Sequence, residues 1–401
     1  MEGLDSTERA AVAGLDADAM LANVERWAAM NSGTRNLTAL ARMAAVLGDA
    51  FAVLPGEVEL IEPAPVESVA GDGRVESLDH GRHLRVRVRT DASVRLLLMG
   101  HMDTVYGAEH PFQSLERRAG ETLVGPGVAD MKGGLAVMLA ALKALEASSL
   151  GLRIGYDVLI NSDEETGSLS SAALIAETAR GKTAALGYEP ALVDGMLVGA
   201  RGGTGNFSLV VRGRSAHAGR DPERGRNALV AAAELAVRLA DAGGPGLAVN
   251  PARIDGGGPN NVVPDMAVLR VNFRPRDGEA IGRARAAVNA AVTEIAARRE
   301  VTIEAHGGFN RPPKPVDAGA VRLQALVERS GRDLETAVGW RDTGGVCDGN
   351  NIAAAGVPVV DTMGVRGGAI HSSDEFMLVE SLAERASLST VTMLRIAASG
   401  L

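Results

Sequence analysis

Residues 94–105 read VRLLLMGHMDTV, and the fold is decided here. Val94 to Met99 is a short apolar run of the kind a buried strand carries, and it leaves through Gly100-His101-Met102-Asp103. A strand that ends by presenting a histidine and an aspartate delivers polar groups past its carboxyl end, where open α/β sheets place their ligands. The flanking segments repeat the layout. His83 to Arg89 alternates apolar and basic residues, as a half-buried strand does. Tyr156 to Ile160 reads as another buried strand, ending at Asn161-Ser162-Asp163-Glu164-Glu165, and Ala184 to Gly187 runs into Glu189. Val357 to Val360 precedes a glycine-rich loop with His371. Leu15 to Asn31, Leu37 to Leu54 and Met131 to Leu145 read as helices, the last following the turn Gly125-Pro126-Gly127. Strands and helices alternating in this way predict an α/β fold with a mainly parallel sheet covered on both faces.

The rhythm changes after Gly203. Asn206 to Arg212 and Ala267 to Arg274 read as strands, Asn227 to Ala240 and Glu279 to Arg298 as helices. These make a small α+β unit whose exit is read at Gly307-Gly308 and Arg311-Pro312-Pro313-Lys314-Pro315. Ala318 to Leu401 then returns to the first rhythm. The prediction is a discontinuous main domain, 1–203 and 318–401, with a second domain, 204–317, inserted. A chain of 401 residues fits two domains.

Composition narrows the partners. The net charge is −9, aromatic residues are 3% of the chain, and no basic run occurs. Nucleic acid and anionic membranes are therefore not expected as partners. Cys347 is the single cysteine, which excludes an internal disulfide and a zinc finger. Residues 1–20 hold acidic groups and no continuous apolar run, so no signal peptide or spanning helix is read and the expected location is cytoplasmic.

The polar residues at the strand ends suit zinc. Imidazole nitrogen and carboxylate oxygen are its usual donors besides thiolate. His101, Asp130, Glu165, Glu189 and His371 make five. If Asp130 bridges, one ion takes His101, Asp130 and Glu189, and the other takes Glu165, Asp130 and His371. Two dications against three carboxylates and a hydroxide sum to zero, a charge a cleft can hold without a large desolvation penalty. Glu164 is then left over, and a free carboxylate beside an activated water is what a general base requires. Asp103 is placed to accept the ring proton of His101. Taken singly, an Asp-Glu-Glu run is a solvated turn and a histidine after a strand is structural; the joint pattern overturns those readings.

That pattern has a known counterpart. The segments at 100–105, 125–134 and 163–168, with Ser215-Ala216-His217-Ala218-Gly219, Asn261-Val262-Val263-Pro264 and the late His371, resemble the M20 family of metallopeptidases. The resemblance is strongest to the glutamate carboxypeptidase (carboxypeptidase G2) type and extends over nearly the whole chain. It implies a di-zinc exopeptidase fold with an inserted ferredoxin-like lid and dimerisation domain, and two Zn²⁺ per subunit, for which Mn²⁺ or Co²⁺ can substitute. It implies the metal-ligand roles of His101, Asp130, Glu165, Glu189 and His371, with Asp130 as the bridge and a cis bond at Asp130-Met131. Glu164 matches the general base and Asp103 the residue supporting His101. His217 resembles the residue one subunit lends to its partner's site, so a homodimer through the lid is expected. Asn261, Arg274 and Arg311 fall where relatives hold substrate oxygen, and Gly345 belongs to a loop bordering the substrate.

His101 stands where the auxin-conjugate and hippurate branch has cysteine, and Glu189 where the carbamoylase branch has histidine, so both branches are disfavoured. The expected activity is release of a C-terminal Glu- or Asp-like residue from small N-acyl amino acids or peptides. The alternative is an N-acetyl or N-succinyl deacylase of the acetylornithine or succinyl-diaminopimelate type. An inactive binding homologue would have lost a ligand or the base, and neither is lost. Cys347 is read as structural, and His80, His83, His110 and His306 as solvent-facing or packing residues.

Overall fold

The computed structural model describes residues 3–401, so the first two residues of the segment 1–20 and of the expected main domain lie outside the described residues. Ten strands carry the architecture: β1 (Glu57–Ile61), β2 (His83–Val88), β3 (Val94–His101), β4 (Ile154–Asn161), β5 (Ala184–Gly187), β6 (Thr204–Arg212), β7 (Leu247–Gly256), β8 (Met266–Pro275), β9 (Thr302–Arg311) and β10 (Val359–Val360).

Six of them form one sheet in the order β1-β2-β4-β3-β5-β10. The four from β4 to β10 run parallel, while β2 is antiparallel to both its neighbours. The alternation in β3 feeds two cores. Leu96 and Leu98 pack with the helices Ala17–Ala28, Leu37–Phe51, Gly134–Ala147 and Ser381–Ser399. Leu97 and Met99 face Ile175, Ala179 and Ile352 from the helices on the opposite side. Burial on both faces is why β3 reads as a continuous apolar run. Register then sets the site. His101 pairs with Asn161, and Met99 with Gly187, so the loops after β3, β4 and β5 leave the same edge together.

A smaller sheet joins two further loops to that edge. Its strands are Gly367–Gly368, Phe376–Leu378, Thr122–Val124 and Glu116–Arg118, in that order. It ties the segment leading into Asp130 to the segment carrying His371. Asp130-Met131 is a cis peptide bond. The helix expected from Met131 begins at Gly134, because residues 128–133 form an irregular turn first.

The remaining four strands make an antiparallel sheet in the order β7-β8-β6-β9. With the helices Ala228–Ala240 and Gly278–Arg299 on one face, the succession is βαββαβ, the ferredoxin-like arrangement. Its core contains Leu209, Val211, Leu235, Leu269, Phe273 and Ile295. β9 covers the stretch read from sequence as an exit, since its glycine pair looks like a loop; Gly307 has φ +98° and pairs with Phe207. The sequence reading also omitted β7, an edge strand that tolerates Pro251 and shifts register after it. The opposite face of this sheet carries a hairpin, Glu67–Val69 with Val75–Ser77. Val69 packs on Val210 and Val268, and Arg270 donates to its carbonyl at 2.8 Å.

Two segments join the units side by side. Arg201 and Lys314 exchange backbone hydrogen bonds at 2.9 and 3.0 Å, and their side chains both bind the buried Asp361 at 2.9 Å.

Candidate metal centre

The loops at the sheet edge bring the expected donors together. His101 Nε2 lies 3.0 Å from Asp130 Oδ1 and 3.8 Å from Glu189 Oε2. His371 Nε2 lies 3.4 Å from Asp130 Oδ2 and 3.1 Å from Glu165 Oε2. Asp130 thus turns one carboxylate oxygen to each histidine. Donor atoms of His101, Asp130 and Glu165 lie within 4.8 Å of one another, as do those of His101, Glu164 and Glu189. Glu164 is 6% exposed, and the group borders a cleft of about 560 Å³ between the two sheets.

The electrostatics ask for positive charge. Burial, reinforced by Asp130, pushes the Glu165 carboxyl up to about 8, and raises Glu189 for the same reasons. Burial also pushes Glu164 up to about 7, against the pull of Arg311. His371 is raised to about 10 by hydrogen bonds to Asp130 and Glu165. His101 is raised too: burial opposes its charged form, but hydrogen bonds to Asp103, Asp130 and Glu189 prevail. Asp130 is held below the usual carboxylate range; burial opposes this, and hydrogen bonds to both histidines outweigh it. Three carboxylates that keep a proton or need an imidazolium beside them are a donor set suited to cations. Two imidazoles and two glutamates around a central aspartate fit a pair of divalent ions with nitrogen and oxygen donors.

A layer of protein groups holds the donors in place. The Asp103 carboxylate accepts the N–H groups of Glu164 and Glu165, both at 3.2 Å, and the Thr34 hydroxyl at 2.7 Å. His101 Nδ1 lies 3.0 Å from the Asp103 carbonyl and 3.5 Å from its carboxylate, so the main chain is its nearer partner. Glu375, 1% exposed, accepts the N–H groups of Gly127 at 3.1 Å, Ala129 at 2.9 Å and Asp130 at 3.0 Å. Sequence reasoning passed over Glu375; its signal was an acidic residue four positions beyond His371, on the loop facing the glycine turn. It passed over Thr34 and Asp348 as well. Buried Asp163 accepts the Ser170 N–H at 2.7 Å and the Ser171 hydroxyl at 2.6 Å, closing the loop that bears Glu164 and Glu165.

The expected substrate residues divide. Arg274 and Gly345 line the cleft. Arg311 lines it too, but its Nη2 is bound to protein: the Glu164 carbonyl at 2.8 Å, Ser168 Oγ at 2.7 Å and Glu164 Oε1 at 2.8 Å. His217 and Asn261 are exposed and do not line the cleft of their own chain. They sit side by side, His217 bridged to Val262 and Ala218 donating to the Asn261 carbonyl. His217 Nδ1 accepts the N–H groups of Gly219 and Arg220, both at 3.1 Å, which leaves Nε2 as the outward donor. Cys347 is buried and caps the helix Asp348–Ala354, and burial raises its thiol well above the usual value. His83 is fully buried against Ser162 and Ser170, a packing role. A second groove of about 560 Å³, between the helices Ser6–Ala13, Ala17–Ala28 and Gly134–Ala147, has no comparable convergence of donors.

A buried imidazole, His101, and an exposed one, His371, converge with carboxylates at the sheet edge, the kind of donor set that a metal-dependent hydrolase uses. Known proteins agree. Residues 97–395 match the model of peptidase family M20/M25/M40. Carboxypeptidase G2 of Pseudomonas sp. (strain RS-16) is 30% identical over 317 residues, covering 76% of this chain and 74% of that protein. A succinyl-diaminopimelate desuccinylase of Verminephrobacter eiseniae is 29% identical over 309 residues, covering 72% and 75%. The crystal structure of the M20 family metallo-carboxypeptidase Sso-CP2 from Sulfolobus solfataricus superposes with a TM-score of 0.70 at 14% identity, covering 94% and 99%. The chain belongs to peptidase family M20/M25/M40, a family of metal-dependent amide hydrolases. Among its described residues no helix is long and apolar enough to cross a membrane.

Proposed function

We propose that this chain hydrolyses the amide bond of small N-acyl amino acids or short peptides and releases the C-terminal residue, with Glu or Asp preferred. The observation that carries this reading is one cluster: His101, Glu165, Glu189 and His371 gather at Asp130, and Glu164 lies within the same cluster beside His101 and Glu189. His101, Asp130 and Glu189 hold one ion; Glu165, Asp130 and His371 hold the other. Zinc is the ion proposed, from the nitrogen and oxygen donors. When bound, the pair polarises the scissile carbonyl and lowers the pKa of water.

The chain's own groups do the rest. Glu164 takes the proton of the attacking water and passes it to the amide nitrogen as the C–N bond breaks, leaving an acid and a free amine. Asp103 fixes the N–H groups of Glu164 and Glu165 and so aims both carboxylates. Arg274, on β8 at the cleft wall, receives the substrate's terminal carboxylate. Residues 204–317 act as the lid. His217 and Asn261 serve the cleft of a second copy in a homodimer, where the outward Nε2 of His217 donates to the developing oxyanion.

A second reading keeps the chemistry and changes the substrate. The desuccinylase relative supports removal of a small acyl group from an amino acid. Amino-acid release by the zinc-loaded enzyme, from acetyl, succinyl and benzoyl derivatives of Glu, Asp, Ala, Leu and Lys, separates the two. Preference for Glu or Asp with a bulky acyl group supports the carboxypeptidase reading. Preference for a small acyl group whatever the amino acid supports the deacylase. Equal release by the Glu164→Ala control would sink both.

A further inference from the structure

Arg311 occupies a position that the reaction as described does not use. It is the last residue of β9, so its backbone belongs to the inserted unit, yet its side chain is buried beside the loop after β4. A single nitrogen, Nη2, touches Glu164 twice: at its carbonyl, 2.8 Å, and at Oε1, 2.8 Å. The second contact is ionic rather than a well-directed hydrogen bond, since Oε1 has no hydrogen-bond partner among the described residues. Ser168 Oγ at 2.7 Å and Asp348 Oδ1 at 3.4 Å complete the cage around that nitrogen. Asp348 is itself fixed by Asn161 Nδ2 at 2.8 Å and by the Ser168 hydroxyl.

A glutamate side chain free at its tip samples several rotamers, and its reach as a base depends on which one it holds. Gripping both the main chain and the carboxylate of Glu164 from one point removes that freedom. An arginine wholly reserved for substrate would present its donors to the cleft; this one commits Nη2 to protein oxygens, while its Nε has no hydrogen-bond partner among the described residues.

We propose that Arg311 is a positioning residue for Glu164, and that it ties the carboxylate to the strand by which the inserted unit leaves the cleft. The proposal rests on the role given above to Glu164. Three residues further on, Lys314 is anchored to Asp361 together with Arg201, so the segment carrying Arg311 is itself held. Any swing of the lid begins from this anchored segment, and Arg311 passes its position to the base.

The test compares Arg311→Ala and Arg311→Lys with the wild type, all zinc-loaded, on the best substrate of the acyl-amino-acid panel. Loss of positioning lowers kcat by roughly 10²-fold in Arg311→Ala while KM stays within about threefold. Added guanidinium recovers part of kcat, and Arg311→Lys lies between the two. A KM raised by roughly 10²-fold with kcat unchanged would make Arg311 a substrate ligand and overturn the proposal. Loss of zinc from both variants would overturn it in favour of a purely structural role. If Arg311→Ala does not fold, Arg311→Lys decides: lowered kcat at unchanged KM supports the proposal, and wild-type kcat refutes it. A wild type inactive on the whole panel is a failure of the proposed function instead. Positioning is then read without substrate, from crystals of Arg311→Lys. A displaced or disordered Glu164 carboxylate supports it, and an unmoved one refutes it.

Discussion

Replacing Glu375 with glutamine should loosen the Asp130 loop by an amount that the structure allows to be worked out. The buried carboxylate accepts three N–H groups: Oε2 takes Gly127 at 3.1 Å, and Oε1 takes Ala129 at 2.9 Å and Asp130 at 3.0 Å. A hydrogen bond to a charged acceptor contributes about 1.5–3 kcal/mol net, and a neutral one about 0.5–1.5 kcal/mol. Glutamine keeps one acceptor oxygen, which can still serve Ala129 and Asp130 as neutral bonds. Its amide nitrogen then faces the Gly127 N–H, donor against donor. Losing one charge-assisted bond and weakening two costs about 3.5–6 kcal/mol. At about 2–4 °C per kcal/mol that corresponds to roughly 7–24 °C in Tm. The assay is thermal unfolding at pH 8 of metal-stripped wild type and variant, followed by zinc titration of both. Because the same loop carries Asp130, the proposed bridge between the ions, zinc affinity should also fall by roughly 10–100-fold. An unshifted Tm in the stripped protein, with unchanged zinc affinity, would refute the reasoning.

Other predictions follow from the same geometry. Glu164→Gln should lower kcat by roughly 10²–10⁴-fold while bound zinc and Tm stay at wild-type values, read by metal analysis beside turnover; wild-type kcat would remove Glu164 as the base. Asp361 is held below the usual carboxylate range: burial opposes this, but Arg201 and Lys314 outweigh it. A depressed carboxyl contributes stability above its unfolded value, about 3.9, and loses it as pH falls through the folded value. Asp361→Asn, which leaves two buried cations unpaired, should cost about 3–5 kcal/mol at pH 7. In urea unfolding, its gap from wild type should narrow below pH ~4, and a gap independent of pH contradicts the pairing. Leu98→Ala, in the fully buried row of β3, should cost about 2–5 kcal/mol in the same measurement, and less than 1 kcal/mol would mean the core is not built on that face.

Of the proposed metal donors, His101, Glu165 and Glu189 were legible because each stands a few residues beyond a short apolar run, and a run such as Val94 to Met99 announces both the strand and its end. A helix start was legible at Leu37, where Asn36 accepts the Ala39 N–H, whereas Asp16, accepting the Ala19 N–H, moves the helix read from Leu15 to Ala17. β9 was not legible, since a glycine pair reads as a turn when the pairing partner, Phe207, lies a hundred residues earlier. The same limit hid Glu375, whose three partners all lie about 250 residues away, and it made Arg311 look like a substrate ligand alone. A sequence shows which groups are available; the pairing of distant loops decides which of them face metal, substrate or each other. Asp103 illustrates this: its spacing from His101 suggested a carboxylate–imidazole contact, and its carboxylate, 3.5 Å from the ring, also holds the main chain of Glu164 and Glu165.

The central claim is that Asp130 stands between two metal ions held by His101, Glu165, Glu189 and His371. Anomalous diffraction at the zinc edge, from crystals grown with zinc, tests it most directly. The account predicts two peaks per chain, each about 2.0–2.2 Å from an Asp130 carboxylate oxygen, one beside His101 and Glu189 and the other beside Glu165 and His371. A single peak, or peaks away from Asp130, would contradict it.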